Sequence, residues 1–455
     1  MAMTIRAGCT AGLFVLLTVG CASDRERSFP TASATPETLR SESAMRRFDD
    51  QFGAEVPNSW FGLAYDLVQA EKLSPPVASR IFAYAGVGLY EAVRPGLPGY
   101  RSLAGQLHGL APLPRVGGQA PHWPLVANSA IAAVCNSMFA SGSQATRDAI
   151  AALEHQWHDQ FAGDLPPGIV NVSELRGRAV ASAIIEWSGS DGYASLHGCP
   201  YAPPAGPGLW IPTPPAFASA LEPCWGQLRP FALTYADVCD PGPPPAYSVD
   251  PASQFMIEAT EVFHTVKNLN DEQMTIALFW ADNPGQTGTP PGHSISITRQ
   301  ILGLQGASLG RAAEAYARVG MAVADAFIAC WWSKFEYDYL RPVTCIRDLI
   351  EAGWLSPVVT PPFPEYTSGH SVQSGAVAQV LTDLFGPLAF TDHTHDALGL
   401  APRSFDSFFA FADEAAISRL YGGIHFRSAI DLGVEQGKCI GAKVSALNLD
   451  GPALP

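Results

Sequence analysis

Apolar residues recur at three- and four-residue spacing over Trp60 to Val93, Ala127 to Ala140, Ser143 to Phe161, Glu174 to Trp187, Gln254 to Val266, Asp271 to Trp280 and Leu309 to Tyr339. That is the period of a helix turning one face to a core. Three further stretches, His370 to Phe385, Phe405 to Tyr421 and His425 to Leu447, continue it. Strand-like alternation is hard to find and no tandem repeat interrupts the series, so the pattern predicts an all-α chain packed as a helical bundle. Between Gly198 and Pro251 the pattern stops. Prolines crowd "YAPPAGPGLWIPTPPAF" and "DPGPPPAYSVDP", which no regular helix accommodates. The interleaved aromatics give this segment something to bury, and it reads as a long ordered loop wrapped on the helical body.

Composition changes this picture in two ways. With 455 residues and a net charge of −15, the chain has ample material for a core and an acidic surface unsuited to nucleic acid. A local cluster of Arg and Lys inside so acidic a protein is therefore informative. The opening "MAMTIRAGCTAGLFVLLTVGCAS" places one arginine before an apolar run from Ala11 to Val19 and then Gly20-Cys21, the layout of a secretory signal over residues 1–21. Cys21 after a small residue resembles the bacterial lipoprotein signal, which implies a lipid on Cys21, although Thr18 stands where that pattern prefers leucine. Residues 22–45 lack apolar periodicity and read as a flexible tether. Residues 46–455 are then expected as one α-helical domain, with an N-terminal half at 46–197, the loop at 198–251 and a C-terminal half at 252–447. The expected location is outside the bacterial cytoplasm, periplasmic or anchored by lipid.

Nine cysteines are present, and export would permit disulfides. Cys199, Cys224 and Cys239 lie in loop-like sequence and are candidates to pair, whereas Cys135, Cys330, Cys345 and Cys439 lie in apolar or helical surroundings and are expected to be free and buried. There is no CxxCH for covalent haem and no paired CxxC for zinc.

The chemistry concentrates near the C-terminal end. "PEYTSGHSVQSG" sets Ser368, Gly369 and His370 where a proline-flanked stretch turns into a helix, a place that leaves backbone N–H groups and positive dipole facing outward. Upstream, "WWSKFEYDYLRP" carries Lys334 and Arg341 seven residues apart, on one face if the helix runs through both. Downstream, "SRLYGGIHFRSAID" carries Arg419 and His425, with Gly422-Gly423 between them as a break that swings His425 back. Each piece has an ordinary explanation: a snorkelling lysine, a helix stop at Arg341-Pro342, an ion pair of Arg419 with Asp413 or Glu414, a capping histidine. Jointly they describe a cage for a tetrahedral oxyanion.

The order KxxxxxxRP, SGH, SRxxxxxH, here Lys334 to Pro342, Ser368 to His370 and Ser418 to His425, resembles the superfamily of vanadium-dependent haloperoxidases and type 2 phosphatidic acid phosphatases. The resemblance implies that Lys334, Arg341, Ser368, Gly369 and Arg419 hold the oxygens of vanadate or phosphate, that His425 bonds the central atom and that His370 is the acid/base. A weaker similarity to soluble haloperoxidase-like bacterial proteins runs through "FWADNPGQTGTPPGH" and "PVASRIFAYAGVGLYEAV". Thr367 replaces the proline that usually precedes SGH. Ala429 stands where both branches commonly carry an aspartate four residues after the histidine matched by His425, so another acid, such as Asp282, would have to substitute.

Length favours the peroxidase branch over the shorter soluble acid phosphatases, in which His425 would be the nucleophile. Trp331 and Phe363 match aromatics that flank the halide site in fungal-type chloroperoxidases. The implied reaction is oxidation of halide by hydrogen peroxide to hypohalous acid on vanadate, with no haem. Lys334 polarises the peroxide, His370 removes its proton and a small organic acceptor is halogenated. A non-catalytic oxyanion-binding lipoprotein would need no His370.

Overall fold

The computed structural model describes residues 52–449, and the signal, the tether and Cys21 lie outside them. The periodic stretch from Trp60 to Val93 is two helices, α1 (Glu55–Ala70) and α2 (Pro75–Val93). Lys72 takes φ 53 between them, and Ser74 caps α2 with Pro75 and Pro76 in its first turn, a start signal that periodicity alone runs over. There follow α3 (Trp123–Met138), α4 (Gln144–Ala162), α5 (Pro167–Ser188) and the single turn α6 (Tyr193–Leu196). Helix α5 begins before the expected Glu174 because its first turns are mostly exposed and carry no apolar stripe.

Residues 198–251 are irregular apart from a 3₁₀ turn at Trp225–Gln227, as the prolines require. The buried carboxylate of Asp325 receives the N–H groups of Phe231, Ala232 and Leu233 at 2.7 to 3.0 Å. Two disulfides hold the segment: Cys199–Cys224, and Cys239–Cys439 across 200 residues of sequence. The second corrects the expectation that Cys439 is free. Its helical surroundings are only one side of its environment, and the loop supplies the partner. Cys135, Cys330 and Cys345 are free and buried.

The second half comprises α7 (Gln254–Lys267), α8 (Asp271–Phe279), α9 (Thr289–Leu304), α10 (Leu309–Tyr337), α11 (Pro342–Leu349), α12 (Gly369–Phe385), α13 (Phe408–Tyr421) and α14 (Arg427–Ser445). Strands β1 (Phe390–Asp392) and β2 (Arg403–Phe405) pair antiparallel, Phe390 opposite Phe405. Phe405 thus belongs to a strand, and α13 begins after the Ser407 cap. The chain is helical as the pattern predicts, with this one hairpin among the described residues.

Helix α10 is the axis of the core: from Leu309 to Trp331 it is buried almost without interruption. It meets α2 where Gly320 faces the Phe82 carbonyl, 2.7 Å from where a Cβ would stand. Helices α12 and α14 approach as closely, a Cβ at Gly433 falling 2.8 Å from the Ser371 Cβ. That contact holds the SGH helix entrance against the segment that carries His425. No described helix is long and apolar enough to cross a membrane.

Candidate active site

A cavity of about 260 Å³ opens among the proline-rich loop, the 358–363 segment and three helix ends, and Gly369, His370, Arg419 and His425 line it. Phe327, Trp331, Phe363, Leu221 and several prolines make most of its wall apolar.

Lys334 lies in the last turn of α10, which ends at Tyr337 with Asp338 at φ 49. Arg341 is therefore not on the same helix but caps the start of α11, and the expectation of a shared helix face is corrected. The two cations converge on Phe363 instead, with Lys334 Nζ 5.1 Å and Arg341 Cζ 5.0 Å from its ring centre. All three ammonium hydrogens of Lys334 face backbone carbonyls, those of Pro364, Glu365 and Thr367 at 3.0, 2.9 and 2.5 Å. Lys334 thus clamps the approach to SGH and places its charge behind the cavity rather than on its wall.

Arg341 donates through Nε to the Phe363 carbonyl and through Nη1 to that of Ile424, both at 2.9 Å. Its buried Nη2 has no partner. Arg419 spends Nε on the Ser418 hydroxyl and Nη2 on the Ala277 carbonyl. Neither Asp413 nor Glu414 pairs with it; Glu414 is bound by Arg403. Burial lowers Lys334 to about 8 and Arg341 and Arg419 to about 10. These three buried cations spend their hydrogen bonds on carbonyls and a hydroxyl, with Glu365 acting on Lys334 and Arg341 only at a distance, a charge surplus that a bound anion relieves.

Helix α13 stops at Tyr421, and Gly423 at φ 71 turns the chain back so that His425 stands two residues before α14. Only glycine takes that conformation without cost. His425 Nδ1 lies 2.7 Å from Glu365 Oε1, and the Phe426 N–H donates to the same oxygen at 2.8 Å. An oxygen receiving two donors requires the proton on Nδ1, which leaves the Nε2 lone pair free to accept from Arg341 Nη1 at 3.1 Å. Burial and then Arg341 hold His425 well below the usual imidazole range. Burial pushes Glu365 up to about 8 against the pull of Arg341 and Lys334. A proton it gains goes to the unpartnered Oε2 and leaves the tautomer of His425 unchanged.

The acid that orients His425 is therefore Glu365 and not Asp282, which corrects the earlier assignment. Glu365 stands inside "PEYTSGH", on the loop across from His425. A carboxylate serves this role from any segment that reaches Nδ1, so position along the motif did not reveal it. Ala429 is fully buried, and its carbonyl accepts from the Ser368 N–H at 3.0 Å.

Ser368 caps α12. Gly369 has room beside it, the nearest atom to an added Cβ being Trp331 Cζ3 at 3.8 Å. His370 bonds to the Trp280 carbonyl, and its Nε2 is buried without a partner. Burial and then Arg419 depress its pKa well below the ordinary value, so it faces the cavity as a neutral base. Trp331 and Phe363 pack at 4.8 Å between ring centres and both line the cavity, with the Trp331 indole N–H held by the Leu221 carbonyl.

Asp282 lines the same cavity but turns to two histidines, with His293 Nδ1 at 2.9 Å from Oδ2 and His395 Nε2 at 3.3 Å from Oδ1. The other nitrogen of His293 meets Asp392 at 2.7 Å. Burial would lower His293, yet the two carboxylates raise it to about 10. No part of this cluster beyond Asp282 was singled out from the sequence.

Residues 314–356 and 349–450 match the model of the VCPO second helical-bundle domain. The vanadium chloroperoxidase of Curvularia inaequalis is 28% identical over 217 residues, which span 34% of this chain and 36% of that protein, so the match covers about a third of that relative. A solved structure described as the first bacterial vanadium-dependent iodoperoxidase is 37% identical, superposes with a TM-score of 0.82, and is covered over 98% of its length by 89% of this chain. A holo-type bacterial vanadium-dependent chloroperoxidase shares the fold, with a TM-score of 0.63 at 16% identity over 83% of this chain and 93% of its own.

Proposed function

Since the chain belongs to the vanadium-dependent haloperoxidase family, we propose that its buried cationic cage holds vanadate and that it oxidises halide with hydrogen peroxide to hypohalous acid. The observation that carries this reading is the set of groups gathered around His425 at one end of the cavity: Arg341 Nη2 and His370 Nε2 have no partner, and His425 Nε2, kept unprotonated by the Glu365 contact, accepts only from Arg341 Nη1 at 3.1 Å, a donor that an incoming anion can take over. These suit a tetrahedral oxyanion whose central atom accepts a nitrogen ligand. Bound vanadate supplies Lewis-acid activation of peroxide without a change in its own oxidation state.

The protein's part is positional and electrostatic. Arg341, Arg419 and the N-terminus of α12 at Ser368 and Gly369 neutralise oxyanion charge, Lys334 adds a third positive charge from behind, and Glu365 keeps His425 in the ligating tautomer. His370 takes the proton of the incoming peroxide at Nε2. The cavity wall of Phe327, Trp331, Phe363 and prolines favours a large, weakly hydrated anion, so iodide is expected to be used best, bromide less and chloride least.

The test compares peroxide-dependent oxidation of iodide, bromide and chloride, with monochlorodimedone as organic acceptor, against p-nitrophenyl phosphate hydrolysis on one vanadate-loaded sample. Halide oxidation with little hydrolysis is expected. The reverse would make the chain a phosphatase, with His425 as the nucleophile activated by Glu365.

We further propose export with lipid on Cys21. The support is the charged start and apolar run of residues 1–21, together with two disulfides that need an oxidising compartment. Intact mass of the native protein tests it, and an uncut or unlipidated N-terminus would overturn it.

A further inference from the structure

We propose that Asp282, His293 and His395 form a site for one divalent transition-metal ion of the zinc class, beside the oxyanion cavity and independent of vanadate. One donor atom from each lies within 4.8 Å of the others, and all three residues are buried. The two imidazoles meet different oxygens of Asp282, His293 Nδ1 at 2.9 Å from Oδ2 and His395 Nε2 at 3.3 Å from Oδ1, so the carboxylate stands between them and an ion on either oxygen is within a small adjustment of both nitrogens, given metal–ligand bonds of about 2.0–2.1 Å.

The second observation is that the His395 side of this cluster is unsatisfied. His395 is 2% exposed, yet neither ring nitrogen has a hydrogen-bond partner, and Asp282 Oδ1 has none either; His395 Nε2 comes only to 3.3 Å from that oxygen. Burying three polar atoms in this way is costly unless something else binds them. A cation between Oδ1 and Nε2 satisfies two of the three.

The surroundings are those of a supported metal ligand. His293 turns its far nitrogen to Asp392 at 2.7 Å, and Asp392 is itself oriented by the Thr394 N–H at 2.9 Å and hydroxyl at 2.6 Å. A carboxylate behind a ligating imidazole fixes ring orientation and raises its basicity. Trp280 stacks on His293 at 4.5 Å and shields the other side. Asp282 reaches the cavity wall, which provides an entry path and leaves one coordination position toward the cavity. Two imidazoles and a carboxylate select zinc or a neighbouring first-row ion over magnesium or calcium. The three ligands come from the 281–284 segment, α9 and the turn after β1, so the ion ties together one wall of the cavity.

The experiment uses the full chain freed of vanadate and stripped with chelator, titrated with Co²⁺ and followed by visible absorption. One equivalent with tetrahedral ligand-field bands, displaced by Zn²⁺, is expected, as is a higher melting temperature for the loaded protein. His395→Ala and Asp282→Asn, checked for folding by circular dichroism, should lose the bands, whereas His393→Ala, an exposed neighbour, should keep them. Absence of bands in the unaltered protein, or their survival in both site variants, overturns the proposal. If neither variant folds, X-ray absorption at the zinc edge of the loaded protein decides: a shell with two imidazoles supports the site, and a shell of oxygen or sulfur alone refutes it. Because vanadate is absent throughout, none of these outcomes depends on the haloperoxidase reading.

Discussion

Two histidine–carboxylate clusters border one cavity and carry opposite charge states. His425 with Glu365 lies among Lys334, Arg341 and Arg419, and burial followed by those cations keeps its imidazole neutral. His293 lies between Asp282 and Asp392, whose charges outweigh burial and raise it to about 10, so a metal ion at Nδ1 would bind by displacing a proton. The pairing of imidazole and carboxylate is the same in both; what differs is the third party. The cationic cluster suits an anion bound through an unprotonated nitrogen, and the anionic one suits a cation. They are close enough to interact, since Asp282 raises Arg419 against its burial and likewise raises His370.

The largest expected effect comes from the base of the cationic cluster. His370→Ala should retain vanadate and lose about 10²–10⁴-fold in turnover. Halide oxidation across pH, with vanadium content measured on each sample, checks this, and near-normal turnover at equal occupancy would reduce His370 to a helix-entrance residue.

The next effect tests whether Glu365 does for His425 what the comparison assigns to it. Glu365→Ala should weaken vanadate binding by about 10–100-fold, read by ⁵¹V NMR or calorimetry. Glu365→Gln, whose amide oxygen still accepts from Nδ1, should lose less. Adding Ala429→Asp to Glu365→Ala should recover part of the affinity by returning a carboxylate to His425 from the other side. An equal loss in the Ala and Gln variants would show that charge balance, and not the tautomer, is what Glu365 provides.

A smaller effect concerns pH. Burial brings Lys334 down to about 8, so affinity for an oxyanion of constant charge, such as tungstate, should be full below that value and fall as pH rises through it, because the protonated lysine is the attracting form. Binding in turn raises the Lys334 pKa by linkage. Lys334→Met should bind more weakly and show a flatter profile. A profile unchanged in Lys334→Met would assign the titration to another group. The smallest effect is expected at Phe363, which touches both cations from the cavity side. Phe363→Leu should change the ratio of iodide to bromide oxidation by about 2–5-fold, in keeping with a cation–π loss of about 0.5–1 kcal/mol, with vanadate affinity little altered.

Features that depend on near neighbours in the chain are readable before any folding is known. Helix period, the Ser368 cap, the proline-rich break and the glycine turn before His425 are local physics, and each is legible in a few residues. Helix α9 shows where that legibility ends. Its first half is buried on every side, Thr289 to Thr298 including His293, Ser294 and Ser296, so no apolar stripe marks it. Tertiary structure alone decided the contacts between distant segments: Glu365 on His425, 60 residues apart, Cys239 on Cys439, and Asp282 on His293 and His395 and not on the cage. A carboxylate or thiol carries no local signal of which partner it will meet. Its charge state and role follow from the groups that packing brings within a few ångströms, and that packing is a property of the whole fold.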